Sequence, residues 1–225
     1  MLTIIQAAGW PIWPLIACSV LGLALIIERF VSLQTSRVAP PTLLEEAMTV
    51  SRQSVPPPDV VNKLAMNSAL GEVLATGFRE LSANPKASDE DLRSCLEGKG
   101  REVAARLQRY LAALATIASA APLLGLLGTV VGMIQMFLGI QDSGVGDVNA
   151  LAGGIGKALV CAAAGMIVAI PALLFHRYFR GRVTGYVMEM EKEATALVDA
   201  LEARHPRPVV RPSGAAAAAP APTSA

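Results

Sequence analysis

From Tyr110 to Gln141 the chain runs for about 32 residues without a charged side chain, and that run limits the fold more than any other feature. A helix needs about 20 apolar residues to cross the hydrocarbon core of a bilayer, so this run spans with helix to spare. Two further charge-free runs accompany it. Met1 to Ile27 carries no charge, with Trp10 and Trp13 placed as an interfacial aromatic belt ahead of Leu15 to Ile27, and Glu28 and Arg29 at the far edge. Ala158 to Phe175 is about 18 residues, or about 27 Å of helix, so Lys157 belongs near one interface and the helix is expected to begin earlier, around Val148. Pro171 within it is tolerable in a packed bundle. The expected fold is an all-α membrane protein with three transmembrane helices. Composition agrees: 53% hydrophobic residues, 16% charged residues and a mean hydropathy of +0.48 point to lipid as the solvent.

A cleavable signal peptide is the competing reading of the first run. Such a peptide should begin with positive charges and end at small residues, whereas this run starts neutral and ends in IIERF, which favours an uncleaved anchor. Orientation follows from Lys and Arg. The loop from Gln141 to Gly156 has Asp142 and Asp147 but no base, while FHRYFRGRV follows the third run and Arg29 and Arg37 follow the first, so the basic sides should face the cytoplasm. The expected organisation is a periplasmic amino end and first span over 1–31, a cytoplasmic helical loop over 32–109 and a second span over 110–141. A short periplasmic loop over 142–147, a third span over 148–178 and a cytoplasmic helix over 179–204 follow. Residues 205–225 form a Pro/Ala tail with nothing to bury, expected to be disordered. In the large loop, Leu92, Leu96, Val103 and Leu107 recur at helical spacing after the breakers Pro56, Pro57 and Pro58, so it reads as helices extending the spans. Ser88 followed by acids reads as an N-cap at the positive end of a helix dipole.

The same residues argue against several function classes. No polybasic tract with interleaved aromatics is present and aromatics are 4%, which disfavours nucleic acid. Cys18, Cys95 and Cys161 lie far apart, two of them in apolar runs, and imply neither a metal site nor a disulfide framework. The histidines that a cysteine nucleophile would need are His176, at the end of an apolar run, and His205, in the tail. Without a nucleophile, metal cluster or phosphate-cradling loop, the chain is not expected to be an enzyme or to carry a cofactor.

Small residues mark both later spans: Ala118, Ala121, Gly125, Gly128 and Gly132 in the second, and Ala158, Ala162, Gly165, Ala169 and Ala172 in the third. So many close-packing positions in three spans suggest self-association, with ordinary helix packing as the plainer reading. Polar residues in the spans are few: Thr116, Ser119, Thr129 and Gln135, with Lys157 at the start of the third. A threonine in such a helix either bonds its own backbone or faces a water-filled lumen. No Asp or Glu lies in any span, so a titrating group for proton movement would have to come from a partner.

The blocks LATIASAAPLLGLLGTVVGMIQMF (114–137) and GIGKALVCAAAGMIVAIPALLFHRYF (154–179) resemble the paired pore-helix motifs of the MotA/TolQ/ExbB proton-channel family in order, spacing and glycine placement. The segment QAAGWPIWPLIACSVLGLALIIERF is similar to that family's first span, and three spans favour the ExbB/TolQ branch over the four-span MotA stators. The resemblance implies a bacterial inner-membrane protein forming a homopentameric ring. Its second and third helices would enclose transmembrane helices of an ExbD- or TolR-like partner, whose membrane aspartate carries the proton and which energises a TonB- or TolA-like protein. It further implies Thr129 of the GTV motif as a pore residue, with Gly125, Gly132, Ala158, Ala162 and Gly165 lining the pore, Lys157 at its mouth, and Pro122, Gly128 and Pro171 in packing or kinking roles. Two positions depart from the family pattern: Lys157 stands where many relatives have an acid, and Ala162 where they have a second pore threonine. A non-conducting scaffold for a partner helix is the alternative those departures support.

Overall fold

The computed structural model describes residues 10–40, 43, 57–84, 87–143 and 148–202. The expectations for residues 1–9, Pro56, Asp147 and most of the short loop, and for His205 and the Pro/Ala tail lie outside them. Among the described residues six helices follow one another, α1 (Ile12–Ser32), α2 (Thr35–Val38), α3 (Pro58–Asn67), α4 (Ala69–Ala83), α5 (Asp89–Ser143) and α6 (Val148–Glu202), and there is no strand. α1, α5 and α6 are each long and apolar enough to cross a membrane.

α5 and α6 are 55 residues each, or about 80 Å, so each crosses the ~30 Å hydrocarbon core and continues far beyond it. Helix does not stop where charge begins, because Glu, Lys, Arg and Ala are all good helix formers and keep the backbone ladder intact. α5 opens on a reciprocal cap. Ser88 Oγ accepts the Asp91 amide at 3.0 Å, while the Asp91 carboxylate accepts the Ser88 amide at 3.0 Å and its hydroxyl at 2.6 Å. Asp89, Glu90 and Asp91 together face the positive end of the dipole. Ser68 caps α4 by accepting the Gly71 amide at 3.0 Å.

The main core lies in the charged half of the molecule. Leu70, Val73, Leu74 and Phe78 of α4 share one buried cluster with Leu92, Leu96, Val103 and Leu107 of α5 and with Phe179, Val183, Met190, Leu197 and Val198 of α6. The helical spacing of the four α5 leucine and valine positions is thus an inward face. Over this cluster, Glu72 of α4 accepts hydrogen bonds from Arg106 and, at 2.9 Å, from Lys99 of α5. The Arg106 hydrogen bond holds the Glu72 carboxyl below its ordinary 4.5 against the opposing effect of burial, and Lys99 adds to it. A carboxyl depressed on folding stabilises the fold above its unfolded value and loses that contribution as pH falls through its folded value. Below pH 4.5 the wild type should therefore lose stability more steeply than Glu72→Gln, measured by denaturant melts of the solubilised protein between pH 3 and 7; parallel curves would refute the coupling.

Two polar clamps fix the end of α1. Arg29, 3% exposed, makes a paired contact with Glu28 at 2.6 and 3.0 Å, donates to the Leu107 carbonyl at 3.0 Å and lies 4.7 Å from the Tyr110 ring centre. Tyr186 of α6 donates to the Leu33 carbonyl at 2.9 Å, satisfying a helix-end acceptor, and its oxygen accepts from Arg182 at 2.6 Å. Phe30 packs edge-on between Phe175 and Phe179, at 5.5 and 5.0 Å between ring centres. Arg29→Met should cost about 2 kcal/mol, the scale of a charge-assisted hydrogen bond. A change below about 0.5 kcal/mol in a denaturant melt, as for an ordinary surface substitution, would contradict the clamp.

Candidate functional site

The small-residue stripes of α5 and α6 face each other within one chain. A Cβ on Gly125 would lie 3.0 Å from the Cys161 carbonyl oxygen and 3.2 Å from Gly165 Cα; one on Gly165 would lie 2.7 Å from the Ala121 carbonyl oxygen and 3.0 Å from Gly125 Cα. At Gly128 it would meet Cys161 Cβ at 2.5 Å, and at Gly132 the Ala158 backbone nitrogen and Cα at 3.3 Å. Backbones approach this closely only where side chains are absent, which is how lipid-embedded helices gain packing contact without a hydrophobic drive. Ala118, Ala121, Ala158, Cys161, Ala169 and Ala172 are buried along the same seam.

Gly125, Gly132, Ala158 and Gly165 are buried between two helices of one chain. The two stripes therefore do not by themselves require a second copy of the chain: they satisfy each other. Ala162 is half-buried at the seam's edge, and Gly128 lies against Cys161. Pro122 and Pro171 sit on exposed faces inside unbroken helices. Around the seam the spans present large apolar side chains outward, Leu123 at 67% and Ile167 at 70% exposure among them, surface that only lipid or another apolar helix covers without cost.

Thr129 lies half-buried beside the seam and donates its hydroxyl to the Leu126 carbonyl at 2.6 Å. The two readings of this threonine are compatible, because a hydroxyl that donates backwards retains lone pairs that can accept a hydrogen bond from outside the helix. Thr116 and Ser119 likewise donate to Ala112 at 2.9 Å and to Ala115 at 3.1 Å. Lys157 is exposed, at the far end of the seam from the basic clamp, two glycine-spaced turns past the helix start. Among the described residues no group of three metal-ligating side chains comes together.

What the stripes did not reveal is Cys161 as the direct neighbour of Gly128, and the roles of Arg29, Arg182 and Tyr186. Cys161 is legible as a buried thiol but not as a contact. The clamp residues are ordinary boundary residues in sequence, and only the antiparallel register of α1 on α5 brings positions 29, 107 and 110 together, and the parallel register of α1 on α6 positions 33 and 186.

Comparison with known proteins agrees with this architecture. A sequence model of the MotA/TolQ/ExbB proton channel family matches residues 65–192, more than half of the chain and including both facing stripes. An ExbB-like biopolymer transport protein of Synechocystis sp. is 32% identical over 177 residues, 78% of this chain and 82% of that protein. The biopolymer transport protein ExbB of Pseudomonas putida is 37% identical over 119 residues, 48% of this chain and 36% of that protein, so the match spans little more than a third of its length. The Tol-Pal system protein TolQ of Pseudomonas aeruginosa is 30% identical over 123 residues, 52% of this chain and 53% of that protein. Three apolar helices, a glycine seam joining the second and third, and a family match across both make this chain a member of the MotA/TolQ/ExbB proton channel family, on its ExbB/TolQ branch.

Proposed function

We propose that the chain is an inner-membrane proton-channel and stator subunit that works with an ExbD-like partner, using the proton motive force to energise a TonB-like protein for outer-membrane transport. The carrying observation is a tightly closed pair of spans with Thr129 at its edge and no carboxylate anywhere in it. Such a pair can wall a path and offer hydroxyl oxygens but has no acid to bind and release a proton, so the titrating aspartate belongs to the partner. A homopentamer with the amino terminus periplasmic and the carboxyl terminus cytoplasmic completes the reading. In it the pairs stand as staves around the partner helices, Thr129 lines the lumen and Lys157 rings its outer mouth. The apolar outer faces meet lipid and neighbouring staves.

A TolQ-like role in a Tol-Pal envelope system, with TolR- and TolA-like partners, has the same geometry and differs in the client. The non-conducting scaffold is favoured by the exposed Lys157 and by Ala162, which offers no second hydroxyl. Proton flux in vesicles holding the chain with its partner separates these readings. Flux abolished by replacing the partner's membrane aspartate supports the channel, and an intact complex without flux supports the scaffold.

A further inference from the structure

We propose that the cleft between α5 and α6 at the basic end of the spans binds the phosphate of an anionic phospholipid. The cleft is about 440 Å³, and it sits where both long helices change character: Arg109 immediately precedes the charge-free run of α5, and His176 immediately follows that of α6. Arg109, His176 and Arg180 rim it together with Gln108 and Thr184, the buried Leu111 and Val183 form its apolar wall, and no carboxylate lines it.

Among the described residues both arginines of this cleft are without a carboxylate partner. Arg29, Arg93, Arg101 and Arg106 each pair with a carboxylate, whereas neither Arg109 nor Arg180 forms an ion pair among the described residues. The contact Arg109 makes is with the ring of its neighbour Tyr110, 5.7 Å from its centre, which leaves its N–H groups available. Two guanidinium forks on one cleft match the oxygens of a phosphodiester. The apolar wall continues into the charge-free face of α5, where the first carbons of an acyl chain would lie. A lipid rather than an acidic peptide fits because the cleft straddles the apolar boundary on both helices, the depth at which a headgroup sits when the spans are embedded.

The test is native mass spectrometry of the full-length complex in detergent, titrated with phosphatidylglycerol, phosphatidylcholine and inorganic phosphate. The expected result is retention of phosphatidylglycerol in preference to phosphatidylcholine. That preference should fall about thirty-fold in the Arg109→Gln/Arg180→Gln double variant, the loss expected for two cations near an anionic headgroup. Arg177→Gln, an exposed cation at the same level outside the cleft, should leave it unchanged. Should the double variant not assemble, Ala112→Trp fills the cleft with its charges intact and should expel the lipid. Equal retention of phosphatidylcholine, an equal loss in Arg177→Gln, lipid kept by Ala112→Trp, or displacement by inorganic phosphate at concentrations comparable to the lipid would each overturn the proposal.

Discussion

Gly165→Leu is expected to abolish recovery of the folded complex, because even its first added carbon has nowhere to go. That carbon would stand 2.7 Å from the Ala121 carbonyl oxygen and 3.0 Å from Gly125 Cα, and both are helix backbone that cannot rotate aside. Overpacking a well-fitted site costs about 1–3 kcal/mol when side chains can give, and more when they cannot. Between lipid-embedded helices the seam contact is itself the driving force, so parting the helices forfeits it along their length. Gly98→Leu supplies the control, since nothing lies within 4 Å of that position and leucine is the better helix former. Gly128 offers a finer test, because there the obstacle is a side chain: Gly128→Ala places its Cβ 2.5 Å from Cys161 Cβ, and Cys161→Gly removes that atom and the sulfur behind it. The single Gly128→Ala variant should lose about 1–3 kcal/mol in a detergent melt and the double variant should recover most of it. No recovery would mean that these two positions do not touch in the membrane.

How far the sequence led can be judged from the same seam. The stripes of Gly and Ala at three- and four-residue spacing are visible in the bare sequence, as are the charge-free runs, because the bilayer imposes length and polarity on any helix that crosses it. The inward face of Leu92, Leu96, Val103 and Leu107 and the Ser88 cap were equally legible, each being a local rule of spacing or hydrogen bonding. What a stripe packs against is not a local matter. A glycine face suits a neighbour in the same chain or in another one equally well, and here the chain uses both faces on itself. Gly125, Gly132, Ala158 and Gly165 read in sequence as pore lining, and their close neighbours within the chain became visible only in the structure. Arg29 was legible as the edge of a span, but its burial against Leu107 and Tyr110 depends on a register across 78 residues that no periodicity encodes.

Thr129→Ala should separate assembly from conduction. Thr129 donates to Leu126 within its own helix, a bond that contributes little to stability, and alanine has the higher helix propensity, so the complex should form and melt as the wild type does within about 1 kcal/mol. What alanine removes is the hydroxyl oxygen beside a seam that holds no carboxylate. If a partner's aspartate exchanges protons with water along this flank, that oxygen is an acceptor that positions the water, and its loss should lower proton flux about tenfold, the effect of one lost hydrogen bond at a transition state. Thr129→Ser, which keeps the oxygen and drops the methyl, should restore flux, whereas Thr129→Val, which keeps the shape and drops the oxygen, should not. Flux that follows side-chain shape rather than the oxygen would place Thr129 among the packing residues. Flux unchanged in all three would move the conduction path off this face of α5, leaving Lys157 and the half-buried Ala162 as the signs of a helix pair that grips a partner without passing ions past it.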